Sequence, residues 1–214
     1  MDLRKIVASR TIRFFAAESG GVYMPDAAVL LKEKFRFMRV PETYEDYQDS
    51  EKRKFMHGTF KGTVIESIEV HPDGVVVDTK ANTSISDEFI DEMIDLVTKE
   101  LNFSLVEMPN TKRTYVSEVE VFLDKELDEA FKGFNAACKK INDTVSGYAD
   151  SISSFQPTGL IIDYDRTASP HLSPHSFILD RRRAASFDTK IYYSIAPLPT
   201  DVHLEVIKDI EGAF

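Results

Sequence analysis

Two β-rich runs joined by turn residues constrain this chain more than any other feature. Val64 to Val70 and Val75 to Thr79 flank Pro72-Asp73-Gly74. Proline presets φ for a turn, and glycine accepts the left-handed position that often closes one. The segment predicts an antiparallel hairpin. Antiparallel pairing this early argues against a doubly wound parallel sheet.

The flanking sequence extends the pattern. Ile6 to Phe14 reads as a strand, and Pro25-Asp26 opens a short helix. Phe35 to Val40 alternates apolar with basic residues, which predicts a half-buried strand closed by Pro41. Residues 42–54 read as a charged loop. A helix is expected over 86–101, capped by Ser86, with Phe89, Ile90, Met93 and Val97 on its apolar face. In the strand expected over 114–123, Val119, Val121 and Leu123 share one face, and Glu118 and Glu120 take the wet one. A long helix is expected over 125–147, capped by Asp124, with Leu127, Ala130, Phe131, Phe134, Cys138, Ile141 and Val145 as a continuous stripe. Strands follow at 159–164, 177–183 and 191–195, and Thr200-Asp201 opens a last helix.

This order predicts an α+β fold: an antiparallel or mixed β-sheet with three main helices packed mainly on one face. A single domain over 1–214 is expected, with two small lobes, 1–110 and 111–214, as the alternative. A sheet covered on one face has another to cover, so a homo-oligomer is expected.

Charge adds a statement about place. Residues 61–150 hold 19 acidic and 9 basic side chains, which accounts for the whole net charge of −10. Direct nucleic-acid binding by that third is not expected. Asp87, Asp91 and Asp95, with Glu88 and Glu92, stack at i,i+4. With Glu118 and Glu120 they would form an acidic docking face for a basic protein, or a mimic of nucleic acid. The single cysteine, Cys138, excludes an intrachain disulfide. No apolar run is long enough to span a bilayer and no secretory signal is read, so a cytoplasmic location is expected.

Three local patterns suit chemistry. Leu160 to Thr167, LIIDYDRT, resembles the first motif of haloacid-dehalogenase-type phosphohydrolases. The resemblance implies Asp163 as nucleophile and Asp165 as acid/base. It covers only this short segment, and the lysine and acidic motifs of that family have no counterpart downstream. The same aspartates with His171 and His175 supply enough ligands for a divalent metal, and would make a metal-dependent hydrolase. Arg181-Arg182-Arg183 suits bidentate contact with carboxylate or phosphate, as an anion site or as ion pairs with the acidic third. His203, in a first helical turn, reads as a surface or packing residue. No phosphate-cradling glycine loop and no nucleophile elbow is present. The function expected is therefore non-catalytic, exercised through protein–protein contacts and self-association. The hydrolase and the acidic inhibitor are the alternatives.

Overall fold

The computed structural model describes residues 1–17, 23–48, 53–102, 104–107, 113–125, 127, 130–147, 155–167, 173–183 and 185–213. The strands are β1 (Asp2–Ala17), β2 (Lys54–Phe60), β3 (Thr63–His71), β4 (Gly74–Thr79), β5 (Leu105–Glu107), β6 (Arg113–Phe122), β7 (Gly159–Ile162), β8 (Phe177–Arg181) and β9 (Ile191–Ala196). The helices are α1 (Met24–Phe35), α2 (Tyr44–Gln48), α3 (Thr83–Leu101), α4 (Asn135–Val145) and α5 (Thr200–Gly212). The fold is α+β with antiparallel strand pairing. Two compact units form. Unit one comprises Met1–Lys5, Val119–Ile195 and His203–Phe214, and unit two comprises Ile6–Glu118 and Ala196–Val202.

In unit two the strand order is β2-β3-β4-β1-β6, and β5 pairs with β1. Sheet residues Phe55, Phe60, Ile65, Ile68 and Val77 pack with Leu31 and Phe35 of α1 and with Phe89, Ile90 and Met93 of α3. The predicted hairpin is present. His71 pairs with Gly74, so Pro72-Asp73 is a two-residue loop between β3 and β4. Gly74 serves a different purpose from the one expected. Its backbone is extended, and a Cβ there would sit 2.4 Å from the Arg13 carbonyl oxygen of β1. Close approach of a neighbouring strand, not a left-handed turn, requires the glycine. The left-handed turn lies one hairpin earlier, where Lys61 (φ 46°) and Gly62 (φ 80°) join β2 to β3. Positive φ at both central residues is the type I′ signature of a tight hairpin.

Two local expectations are corrected here. Phe35 to Val40 is not a strand. Phe35 ends α1, Arg36 turns left-handed at φ 55°, and only Arg39 bridges to Met56. Both Phe35 and Phe37 are buried, so the alternation reflects a helix end running into an extended segment. The charged stretch 42–54 contains α2 and the first residue of β2. The phase of β2 slips at His57 (φ 57°), so Phe55, Gly58 and Phe60 are the buried residues. That break hides the strand from a period-two reading.

Gly58 is the tightest point of this core. A Cβ there would lie 2.5 Å from the ring of Phe37, which packs edge-on against Phe55 and Phe89. Gly58→Ala is expected to cost about 1–3 kcal/mol by overpacking, measured by urea denaturation. An unchanged midpoint would show that the ring has room to move.

Helix α3 starts at Thr83 rather than near Ser86. Asn82 is its N-cap, accepting from the Ser84 N–H at 3.0 Å, while Ser86 is buried inside the first turns. Thr83 and Thr200, each at the start of a helix, cap one another. The Thr83 N–H donates to Thr200 Oγ1 at 3.1 Å, and the Thr200 N–H donates to Thr83 Oγ1 at 2.9 Å. Both threonines are buried, so this exchange satisfies two helix-start donors that water does not reach.

In unit one the strand order is β1-β6-β9-β8-β7. Val119, Val121, Leu123, Leu127, Leu179, Tyr192 and Ile207 are among its buried residues. The long helix expected over 125–147 is instead a 3-10 turn at Lys132–Phe134 followed by α4. Asp124 does not cap it, and the N–H groups of Asp124 and Lys125 donate to Glu211 Oε1. Of the predicted stripe only Leu127 is buried, and Phe134 and Ile141 are exposed. Helical periodicity reports which residues share a face, not whether anything covers it. Among the described residues no helix is long and apolar enough to cross a membrane.

Candidate functional site

The site with the most chemistry lies on the β7, β8 and β9 strands of unit one. Alternation along β8 buries Phe177, Leu179 and Arg181 on one side and leaves Ile178 and Asp180 on the other. The register aligns Gly159 of β7 with Asp180, and Asp180 with Tyr193 of β9. Gly159 lets β7 approach closely, because a Cβ there would lie 2.2 Å from the Leu179 carbonyl oxygen and 3.0 Å from Asp180 Oδ1. The Arg182 N–H donates to the Ile191 carbonyl at 2.9 Å and carries the ladder one residue past β8. Ile178, Asp180, Arg181, Arg182, Arg183 and Tyr193 together line a cavity of about 350 Å³. Asp180 Oδ1 is buried and has no hydrogen-bond partner among the described residues.

The three arginines have different surroundings. Arg181 is buried, with its guanidinium 5.3 Å from the centre of the Tyr192 ring. Desolvated cation–π contact of this kind holds Arg181 in the core side of the sheet. Arg182 is 3.4 Å through Nε from Glu120 Oε2. Arg183 is exposed. Glu120 was expected on a wet face and is buried instead, with its side chain 7% accessible. Arg4 Nη1 donates to it at 2.8 Å, and Lys5 Nζ lies 3.8 Å away. Three cations around one carboxylate offset the cost of burying it. The pairing of Arg182 with the acidic third is thus present at Glu120.

On the opposite side of β9, Ser194 and His203 form a buried pair. Ser194 Oγ donates its one hydrogen to the Ile178 carbonyl at 2.7 Å, so it accepts from His203 Nε2 at 2.8 Å. Phe177 meets the imidazole edge-on at 5.7 Å. Burial lowers the His203 pKa to about 4, which keeps the ring neutral at neutral pH.

The aspartate–histidine cluster is mostly local structure. Asp163 accepts from the Tyr164 N–H at 3.0 Å and lies 3.4 Å from the Arg166 guanidinium. The Tyr164 hydrogen bond is the main reason its carboxyl titrates below the usual range. Asp165 Oδ1 accepts from both the N–H and the hydroxyl of Thr167. These are the backbone-capping contacts aspartate makes in turns. The exposed His175 donates through Nδ1 to the Ser176 carbonyl. His171 lies outside the described residues. Among the described residues no three His, Cys, Asp or Glu side chains gather as metal ligands.

The acidic residues of α3 are largely engaged within unit two. Arg113 bonds Asp87 at 2.7 Å and Asp91 at 2.6 Å, and Arg13 also meets Asp91. Lys61 bonds Glu88 at 2.6 Å, and Lys34 lies 3.3 Å from Glu92. Tyr115 donates to Asp87, whose pKa is nonetheless raised because desolvation outweighs Arg113. Asp95 is exposed and Glu118 is half-buried.

Compared with known proteins, this chain matches no family model, no curated protein and no solved structure. The functional reading therefore rests on the residues themselves. The sequence singled out the arginines, but not the strand register that adds Asp180 and Tyr193 to them. It also held no sign of the Ser194–His203 pair, whose members lie on different elements.

Proposed function

We propose that this protein is non-catalytic and acts through contacts with other polypeptides, first of all with a second copy of itself. The observation that carries this reading is the free edge of β7. It pairs with β8 on one side and ends the strand order of unit one among the described residues. Its two isoleucines alternate onto opposite faces, and both are exposed, Ile161 at 69% and Ile162 at 54%. An unpaired strand edge with apolar side chains is a template for another strand. Antiparallel pairing of β7 with its own copy is isologous, so one contact closes a dimer about a twofold axis. Asp163, Asp165 and Arg166 follow at once and limit the apolar stretch to the strand itself. The uncovered residues of α4 and Phe155 add apolar surface in the same unit.

Light scattering on the full chain tests this. The wild type is expected at twice the mass of one chain, and the double variant I161K/I162K at the mass of one. Because both positions are more than half exposed, the variant should keep its stability to within about 0.5 kcal/mol. A wild type that stays monomeric at its highest soluble concentration contradicts self-association. A variant that remains dimeric while folded contradicts the β7 edge.

A further inference from the structure

We propose that the arginine-lined cavity of unit one binds a small organic anion. Its carboxylate or phosphate group would lie on Arg182 and Arg183, with its carbon frame over Ile178 and Tyr193. Charge is the first reason. The chain carries a net −10, yet among the described residues the cavity and its adjoining ion pairs bring Arg4, Lys5, Arg181, Arg182 and Arg183 together with Asp180 and Glu120. A cationic concavity in an acidic protein concentrates anions locally.

Preorganisation is the second reason. Glu120 is buried and engages Arg182 through Nε, and a guanidinium carries further donors on its two terminal nitrogens. The side chain is thereby oriented before any ligand arrives, which reduces the entropy lost on binding. Beside it, Arg181 is buried against Tyr192 and fixes the local positive charge from within the sheet. The third reason is size and lining. A volume of about 350 Å³ falls at the small end of ligand sites, which join an apolar floor to a few polar groups. Ile178 and Tyr193 supply that floor.

Asp180 gives the site its selectivity. Asp180 is one of the lining residues, so its negative charge acts on the same ligand as the arginines. It disfavours ligands with a high density of negative charge, so a free inorganic ion is a poorer fit than an anion on a carbon frame. Carboxylates and phosphate monoesters share the chemistry the arginines recognise, and the probes separate them.

Titration calorimetry at low salt with benzoate, phenyl phosphate and inorganic phosphate is the test, on the wild type and two variants. At least one organic probe is expected to bind more tightly than inorganic phosphate, and the tighter of the two identifies the anionic group. Arg183 is exposed, so R183Q should leave the fold intact and weaken the organic probe about tenfold. D180N removes a like charge and should strengthen it about fivefold. These opposite signs distinguish a binding site from a structural effect. The proposal is overturned if neither organic probe binds at about 10 mM, the weak end of affinities worth calling specific. It is also overturned if inorganic phosphate binds as well as both organic probes, or if the two variants behave like the wild type.

Discussion

Phe89→Ala is expected to destabilise the protein by about 3–5 kcal/mol, the largest effect of any single truncation in unit two. Phe89 is fully buried. Its ring lies 4.8 Å from Phe35, 5.4 Å from Phe60 and 6.5 Å from Phe37, edge-on in each case. These partners come from the end of α1, the strand β2 and the segment between them. Among the described residues Phe89 is the ring that meets all three, so removing it leaves a cavity walled by rigid aromatic groups. Aromatic surroundings relax poorly, which places the cost in the upper part of the large-to-small range. Val29 of α1 is the control, because it is 58% exposed and its truncation should cost under about 0.5 kcal/mol. Urea titration of both variants reads the difference. A loss below about 1 kcal/mol for Phe89→Ala would show that the aromatic cluster does not organise this unit.

His203 gives the second large effect, and it depends on pH. Its folded-state pKa is about 4, against about 6.5 in the unfolded chain. Above pH 7 the ring is neutral in both states and titration has no effect. As pH falls through 6.5 the unfolded chain takes up a proton that the folded chain refuses, so stability declines. The decline ends near pH 4, where the folded state also accepts the proton, and amounts to roughly 3 kcal/mol. The physical cause is burial of the imidazole beside Phe177, with Nε2 donating to Ser194. His203→Gln keeps a donor near that position but cannot titrate. The stability gap between wild type and variant is expected to narrow steadily from pH 7 to pH 4.5. Parallel curves over that range would contradict a neutral buried His203.

What could be read from the sequence was local. The hairpin at Pro72-Asp73 was legible because turn chemistry and flanking β-branched residues act over a few positions. The α+β class followed from the order of such segments. The strand β2 was not legible, because the left-handed His57 shifts the phase of its buried residues. The stripe on α4 was legible as a pattern but not as an exposed one, since coverage depends on elements far away in the chain. Glu120 illustrates the same limit at the site. Its neighbours Val119 and Val121 place it opposite the core, and the partners that offset its burial, Arg4, Lys5 and Arg182, are distant in sequence. The arginine run was visible as suited to anions. Its partners Asp180 and Tyr193 became neighbours only through the pairing of β8 with β9.

The free edge of β7 is the centre of the functional reading, and amide hydrogen exchange over Gly159–Ile162 tests it most directly. In an antiparallel edge strand, alternate N–H groups point away from the sheet. Self-association through this edge predicts that those outward amides exchange quickly in dilute protein and become protected as concentration rises, in step with the dimer mass. Fast exchange that does not change with concentration, in a sample shown to be dimeric, would place the interface elsewhere and contradict the assignment to β7.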